Sequence, residues 1–501
     1  MNMDVFIGID TSTTSTKVIA INEKGNILGV SSSEYTFETP FPLWCEQSPD
    51  LWWQATKISV QGCIKKAGLH PYQVKGIGLT GQMHGLVILD ENGEVLRPSI
   101  LWNDQRTQRQ CDEIRSLIGK QEFIRITGND ALTGFTAPKI LWVKEKEPKL
   151  FAQIKHVLLP QDFIRYKLTG EYALDRAGGS GTVLFDLVQR NWSNDLIKAL
   201  GLNPEWFPPT FEGTQVTGTL TKKAAGEIGL IDGIPIYGGG GDQAAAAVGT
   251  GAVEEGVVSI SLGTSGVVFA TTDFPFFEPE GRLHAFCYAI PGKWHLMGVM
   301  LSAAGSLRWF RDTFKMDASF NDLVASAGDI QPGSDGLLFM PYLTGERTPY
   351  PDPLARGGFI GISVRHTFKH FTRSVLEGVA FGVRDNFELM KKAGLAEITQ
   401  VRITGGGAKN PIWRQIIADV LNVEIVTIGS EEGAAFGTAL LAATGAGVFE
   451  SVQQACLNTI NITDKVMPGI ANKIYNNMYS EYRLLYPSLK DTFHRISKNL
   501  L

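Results

Sequence analysis

Apolar and polar residues alternate in short blocks from the start of the chain. The stretch "DVFIGIDTSTTSTKVIAINEKGNILGVSSSEY" holds three runs of β-branched and aliphatic residues, broken by a Thr/Ser turn and by "EKGN". That pattern predicts a meander of three short strands. In "SPDLWWQATKISVQGCIKKAGL", Ser48 stands as N-cap, Pro49 at the first helical position and Asp50 in the first turn, which predicts a helix, with the strand "VKGIGLTG" after it. Strand and helix go on alternating, the pattern of an α/β protein. Later segments predict a helix at "LSAAGSLRWFRDTF", a strand at "GLLFM" and a long helix from about Lys369 to Lys392. They continue as strand, Gly-rich loop, helix, strand and helix through "QVRITGGGAKNPIWRQIIADVLNVEIV" and "GAAFGTALLAATG". From about Glu450 to Leu501 the chain reads as helical and amphipathic in patches, with no chemistry attached.

Residues 257–270, "VVSISLGTSGVVFA", repeat the order of "FIGIDTSTTSTKVIA": apolar strand, small polar turn, apolar strand. The two turns lie 251 residues apart, half of a 501-residue chain. Single hydrophobic cores stop growing near ~250 to 300 residues, so length independently demands two domains. The boundary is expected near residue 250, giving domains 1–249 and 250–501. No linker or low-complexity segment separates them, so they are expected to pack around a shared cleft.

Composition narrows the partners. With 44% hydrophobic and 19% charged residues and 55 glycines, the chain is an ordinary globular protein rich in tight turns. A net charge of -5 and the lack of any Lys/Arg run argue against a nucleic-acid partner. The five cysteines are far apart and form no CxxC pair, so neither zinc nor a disulfide framework is suggested. No basic leader precedes an apolar stretch and nowhere do 18 apolar residues run together, so a cytoplasmic protein with no membrane partner is expected.

Four turns are built of Gly, Ser and Thr: "DTSTTSTK", "GGGGDQ", "SLGTSG" and "TGGGAKN". Such turns present backbone N–H groups, and those that open a helix add its positive end, so together they suit phosphate oxygens held between two domains. The Walker pattern GxxxxGK[ST] is absent. Gly239, Gly241 and Ala244 satisfy GxGxx[GA] after a strand, but Asp242 would put an anion inside the pyrophosphate cradle, and no ribose-binding acid follows about 20 residues on. Asp242 reads better as a base. At a helix N-terminus it is expected to stay ionised, and the loose transition state of phosphoryl transfer needs only a weak, well-placed proton acceptor. A capping acid is the structural alternative. "GLTGQMHGLVIL" places Gln82, Met83 and His84 after a strand, and "SILWNDQR" places Trp102, Asn103, Asp104 and Arg106 after another. Amide, imidazole, carboxylate and guanidinium groups beside an indole face suit a small polyhydroxylated ligand.

With these residues in view, the chain resembles the FGGY carbohydrate kinases over nearly its whole length. "GQMHG", "LWNDQR", "TGNDALTGFTAPKILW", "GGGGDQAAAAVG", "SLGTSGVVFA", "MGVMLSAAGSLRW", "PYLTGERTPYPDP" and "TGGGAKNPIWRQIIADV" occur in the family's order, and "GGFIGISVRHTFKHFTRSVLEG" resembles its C-terminal signature. The resemblance implies two ribonuclease H-like domains of the actin, hexokinase and Hsp70 type flanking a catalytic cleft, the first binding sugar and the second ATP. It implies ATP-dependent phosphorylation of D-xylulose at O5 with Mg2+. Kinase action on another ketose or polyol (ribulose, gluconate or a branched sugar) is the alternative, and a sugar or nucleotide sensor the non-enzymatic one. Asp242 would accept the proton and Asp10 would organise Mg2+, while Gln82, Met83, His84, Trp102 and Asp104 would surround the sugar. Thr13 and Lys17 would lie near the γ-phosphate, with Gly263 and Thr264 near the phosphates from the second domain. Gly406, Gly407, Asn410 and Gly305 would border the adenosine. A homodimer is a further implication. Two departures stand out: Ser12 where the family's first turn often has glycine, and Gln243 where its members commonly have Asn.

Overall fold

The five strands at the centre of each half of the chain have the same order and sense. This is visible in the computed structural model, which describes residues 3–315, 317–429 and 432–498. In the first half, Val5–Thr11 pairs antiparallel with Ser15–Asn22, which pairs with Ile27–Glu34, and parallel with Val74–Gly81, which pairs parallel with Pro235–Gly241. In the second, Val257–Leu262 pairs antiparallel with Gly266–Thr272, which pairs with Trp294–Met300. On its other side Val257–Leu262 pairs parallel with Gln400–Thr404 and then Glu424–Ile428. Edge strands extend both: Val216–Thr219 on the first sheet, His284–Cys287 and Ile462–Val466 on the second. Each sheet draws all its strands from one side of residue 250. The repeated strand-turn-strand pattern is thus the opening hairpin of two copies of one sheet.

Local signals set the element bounds. The helix Pro49–Ala67 starts after Ser48 and ends at Gly68, whose φ of 62° lets the last carbonyls be capped. The hydroxyl of Ser48 makes no capping bond, so Pro49, with its preset φ, carries the start. The long helix runs Phe368–Ala393. Near the C-terminus the chain forms a helix Val452–Thr459, an edge strand Ile462–Val466 and a helix Asn472–Lys498. The strand is not legible as such, since "ITDKV" is almost wholly exposed and pairs on one side only. The expectation for residues 499–501 lies outside the described residues.

The halves join through the helix that follows the last central strand of each sheet. Asp242–Thr250 and Gly433–Gly445 pack against each other and against a shared core that includes Phe6, Ile19, Val248, Phe269, Phe436 and Leu440. Their backbones approach so closely that a Cβ on Gly437 would come within 1.8 Å of the Ala245 carbonyl. The same helix from the second half lies on the first sheet, where a Cβ on Gly8 would meet the Ala435 carbonyl at 1.9 Å. Among the described residues no helix is long and apolar enough to cross a membrane.

Candidate active site

Three parallel strands of the first sheet end side by side, and their carboxyl ends bring the expected site residues together. Register pairs Asp10 with Thr80 and Gly81 with Gly241, so Asp10, the run Gln82–His84 and Asp242 emerge at one edge. This is the crevice in which open α/β sheets bind ligands. Lys17 lies opposite Asp10 on the neighbouring strand and therefore on the same face.

Two cavities meet at this edge. A cavity of about 210 Å³ is lined by Met83, His84, Trp102, Phe135 and Asp242 from the first half, and by Ser265, His284, Met297, Val299 and Arg347 from the second. A cleft of about 770 Å³ is lined by residues of the helix Asp242–Thr250, by Ser261 and Phe269, and by the loop Gly405, Gly406, Ala408 and Lys409. Gln243 borders both.

Asp242 is the first residue of its helix, and its Oδ1 accepts the Gln243 backbone N–H at 2.7 Å. Gly241, not Asp242, occupies the cap position. Burial outweighs this bond and the Gln243 side chain and pushes the carboxyl up to about 6. The expectation from the helix dipole alone is therefore modified: the carboxylate predominates at neutral pH, yet it is a stronger proton acceptor than an exposed aspartate. Asp10 is raised further, to about 7, by burial and then by the negative charge of Asp242, against the pull of Lys17. Its Oδ1 is buried without a partner.

His84 holds a backbone φ of 68°, rare for a side chain of this size. Its carbonyl accepts Lys139 Nζ at 2.9 Å and Thr136 Oγ1 at 3.1 Å, which holds that geometry. The imidazole Nδ1 lies 2.6 Å from the Gly181 carbonyl. Burial, with Lys139 next, pushes the ring down to about 3, so it is neutral: Nδ1–H donates to Gly181 and Nε2 is left as an acceptor. Trp102 donates Nε1–H to Thr13 Oγ1 at 2.9 Å, which joins the first hydroxyl turn to the wall of the small cavity.

Other expected residues fall elsewhere. Gln82 is buried behind the turn, where its amide bonds to Thr13, Ser12 and Gln47, and it does not line the cavity. Asp104 is fully buried, ion-paired to Arg106 and accepting the Cys45 N–H. Arg106 is stacked 3.6 Å from the Trp44 ring. The Asp104–Arg106 pair braces the wall and does not reach the cavity. Lys17 bonds to Glu432, at the start of the opposite helix, at 3.1 Å. Gly406 is open to the large cleft, whereas Gly407 packs under Leu262 and Trp413, and Asn410 caps the helix Pro411–Leu421. The carbonyls of Gly263 and Thr264 accept N–H groups at the start of the helix Ala304–Phe314, and Gly305 packs on Thr264. Ser12, in place of glycine, uses its hydroxyl within its own turn, donating to the Ser15 carbonyl at 2.8 Å. Sequence reading missed Arg347, His284 and Ser265; only the quoted "GERTP" and "GTSG" motifs could have drawn attention to two of them.

Two copies of a five-stranded mixed sheet enclosing a cleft with an acid at its edge are the ribonuclease H-like duplication of the actin and hexokinase type. The profile of the FGGY family of carbohydrate kinases, N-terminal domain, matches residues 5–249, and that of the C-terminal domain matches 258–446. The chain is 38% identical to the xylulose kinase of Lactococcus lactis over 99% of both chains, and 37% identical to that of Escherichia coli over 99% of both. Among solved structures, a "xyloylose kinase" from Brucella ovis superposes with a TM-score of 0.89 at 40% identity, covering 97% of this chain and 100% of the other. The xylulose kinase from Rhodospirillum rubrum gives 0.92 at 30%, covering 98% and 100%. The chain belongs to the FGGY family of carbohydrate kinases, phosphotransferases that act on a sugar hydroxyl.

Proposed function

We propose that the protein transfers the γ-phosphoryl group of ATP to O5 of D-xylulose, giving D-xylulose 5-phosphate and ADP. The observation that carries this is the position of Asp242: its carboxylate lines the small cavity, and the next residue in its helix borders the large cleft. A sugar hydroxyl in the former faces Asp242 while a triphosphate in the latter points toward the same spot. The xylulose kinases to which the chain is similar along its whole length supply the choice of sugar.

Asp242 accepts the hydroxyl proton as the phosphorus–oxygen bond forms. Met83, Trp102 and the neutral His84 position the ketose. Mg2+ keeps most of its waters and takes one or two carboxylates beside the phosphates of its substrate, so the unpartnered Oδ1 of Asp10 fits it. Among the described residues no group of three or more His, Cys, Asp or Glu could hold a metal by itself. Bound Mg2+ would neutralise charge developing on the transferred phosphate. The adenosine lies in the large cleft against Gly406, and the division into a sugar half, 1–249, and an ATP half, 250–501, is part of this reading. Walls shared by the two halves in both cavities favour closure over bound ligands, which excludes water from the transfer.

The test is Asp242→Ala in a coupled ADP-release assay over a panel of ketoses, polyols and aldonates. Loss of a base is expected to lower kcat by about 10²- to 10⁴-fold with D-xylulose the best substrate of the parent enzyme. A variant that keeps near-parental turnover sinks the base, and a low rank for D-xylulose sinks the substrate.

A further inference from the structure

The ionisable groups around the small cavity divide into three acceptors and a single cation, with the amide of Gln243 and the hydroxyl of Ser265 beside them. Asp242 accepts, and so does the Nε2 of His84. His284 follows from its partner. Asn129 Nδ2 donates to the carbonyls of Ala285 at 2.7 Å and Thr127 at 3.1 Å, which makes its other amide atom, Oδ1, the acceptor facing His284 Nδ1 at 3.1 Å. His284 therefore carries its hydrogen on Nδ1 and offers Nε2 as an acceptor. Burial, then the charge of Arg347, pushes this ring well below the ordinary histidine range, and it stays neutral.

Arg347 is the exception. Its guanidinium lines the cavity and makes no hydrogen bond or ion pair with any described residue. Five donors thus face a pocket whose other ionisable groups accept. The arginine is not loosely held. Its backbone N–H donates to Glu346 Oε1 at 2.7 Å, and the same oxygen accepts Leu301 N–H at 2.9 Å. Thr348 is tied to Val299 by bonds in both directions, and Glu346 and Asp352 exchange backbone bonds at 3.0 Å. Tyr486 and His494 of the last helix both bond to Asp352. The positive charge of Arg347 helps to hold both His84 and His284 below the ordinary histidine range, and all three line the cavity with Asp242.

A ligand matching this pattern brings hydroxyl hydrogens to Asp242, His84 and His284 and a pure acceptor to Arg347. We propose that Arg347 is a specificity-determining residue that receives the carbonyl oxygen of an open-chain ketose, and so sets a preference for ketoses over the corresponding polyols. This rests on the sugar-kinase reading of the cavity and deepens it. A polyol presents a hydroxyl at that position, which gives up its own donor to nothing when it accepts from a guanidinium. A carboxylate is the other acceptor-only group of comparable size, and aldonates are therefore an arm of the test.

The experiment measures dissociation constants of D-xylulose, xylitol and D-xylonate by calorimetry, with a non-hydrolysable ATP analogue present, for the parent enzyme, Arg347→Met and Arg347→Lys. The parent is expected to bind the ketose more tightly than the polyol. Loss of a charge-assisted hydrogen bond should weaken the ketose by about 10- to 100-fold in Arg347→Met. The polyol should change by no more than a few-fold, so that the ratio collapses, and Arg347→Lys should fall between. Affinity for the ATP analogue and the thermal midpoint should stay as in the parent. Equal weakening of ketose and polyol, or an unchanged ratio, overturns the proposal, because a merely structural role would move both ligands together. Tighter parental binding of D-xylonate than of D-xylulose overturns it in favour of a carboxylate. Should the parent bind neither five-carbon sugar, the substrate reading fails separately, and the ratio is read on the ketose and polyol of the sugar identified in the panel.

Discussion

Asp242 and Asp10 stand at one edge of the first sheet, and their raised proton affinities have opposite consequences for function and stability. As the proposed base, Asp242 must be deprotonated, so kcat/KM of the free enzyme should climb about tenfold per pH unit below 6 and level off above it. A flat profile from about pH 5 to 7 counts against Asp242 as the base. Because both carboxyls are raised from 3.8, to about 6 and about 7, their contribution to stability is full below 3.8 and lost as pH rises through those values. Asp242→Asn should therefore raise the thermal midpoint at about pH 8, with the gain vanishing near pH 4. His84 and His295 act in the other direction: both are held near 3 instead of 6.5 by burial, so stability is lost as pH falls from 6.5 toward 3. Asp104 has a structural task beside Arg106, and breaking a buried pair costs about 3 to 5 kcal/mol. Asp104→Asn should lower the thermal midpoint while leaving the sugar KM of the folded enzyme within a few-fold. A large rise in that KM without destabilisation would put Asp104 back in the pocket. Residue types at strand ends singled out Asp242, Met83, His84 and Trp102, which the fold brings together around the small cavity. Gln82 and Asp104 stood out equally in the sequence but do not line that cavity, because motif membership does not tell a side chain that faces a cavity from one that faces the wall behind it.

At the scale of elements, strands and helices followed local rules, and turn chemistry located the loops around the cleft. Pro49 and Gly68 bound one helix, and Asn410 opens another by accepting the Ile412 N–H at 2.9 Å. Asn410→Ala should cost about 1 kcal/mol through loss of that cap. The paired helices Asp242–Thr250 and Gly433–Gly445 could be predicted as helices, but their partner could not. Small residues along "GAAFGTALLAATG" are consistent with any close packing, and only the fold shows that Gly437 meets the backbone of Ala245. Gly437→Val should force these helices apart and destabilise the protein by at least about 1 to 3 kcal/mol, read by chemical denaturation. No loss of stability would mean that the helices are not held in this close contact.

Across the whole molecule, the duplication, the cleft and the family were all present in the order of residues. Two domains followed from length, the repeated hairpin from the strand-turn-strand pattern, and the acid beside a Gly-rich turn from a strand that must bring its backbone close to a neighbour. These signals are local or nearly so, since hydrophobic period and turn chemistry depend on neighbours a few positions away. Tertiary structure alone decided that the small cavity has walls from both halves, Met83 and His84 from the first and His284 and Arg347 from the second. It also decided that Lys17 reaches Glu432, and that burial raises both Asp10 and Asp242. Contacts between residues hundreds of positions apart, and the desolvation they cause, exist only once both sheets have formed and packed. A charge can be read from the chain, but the solvent it loses is set by the fold.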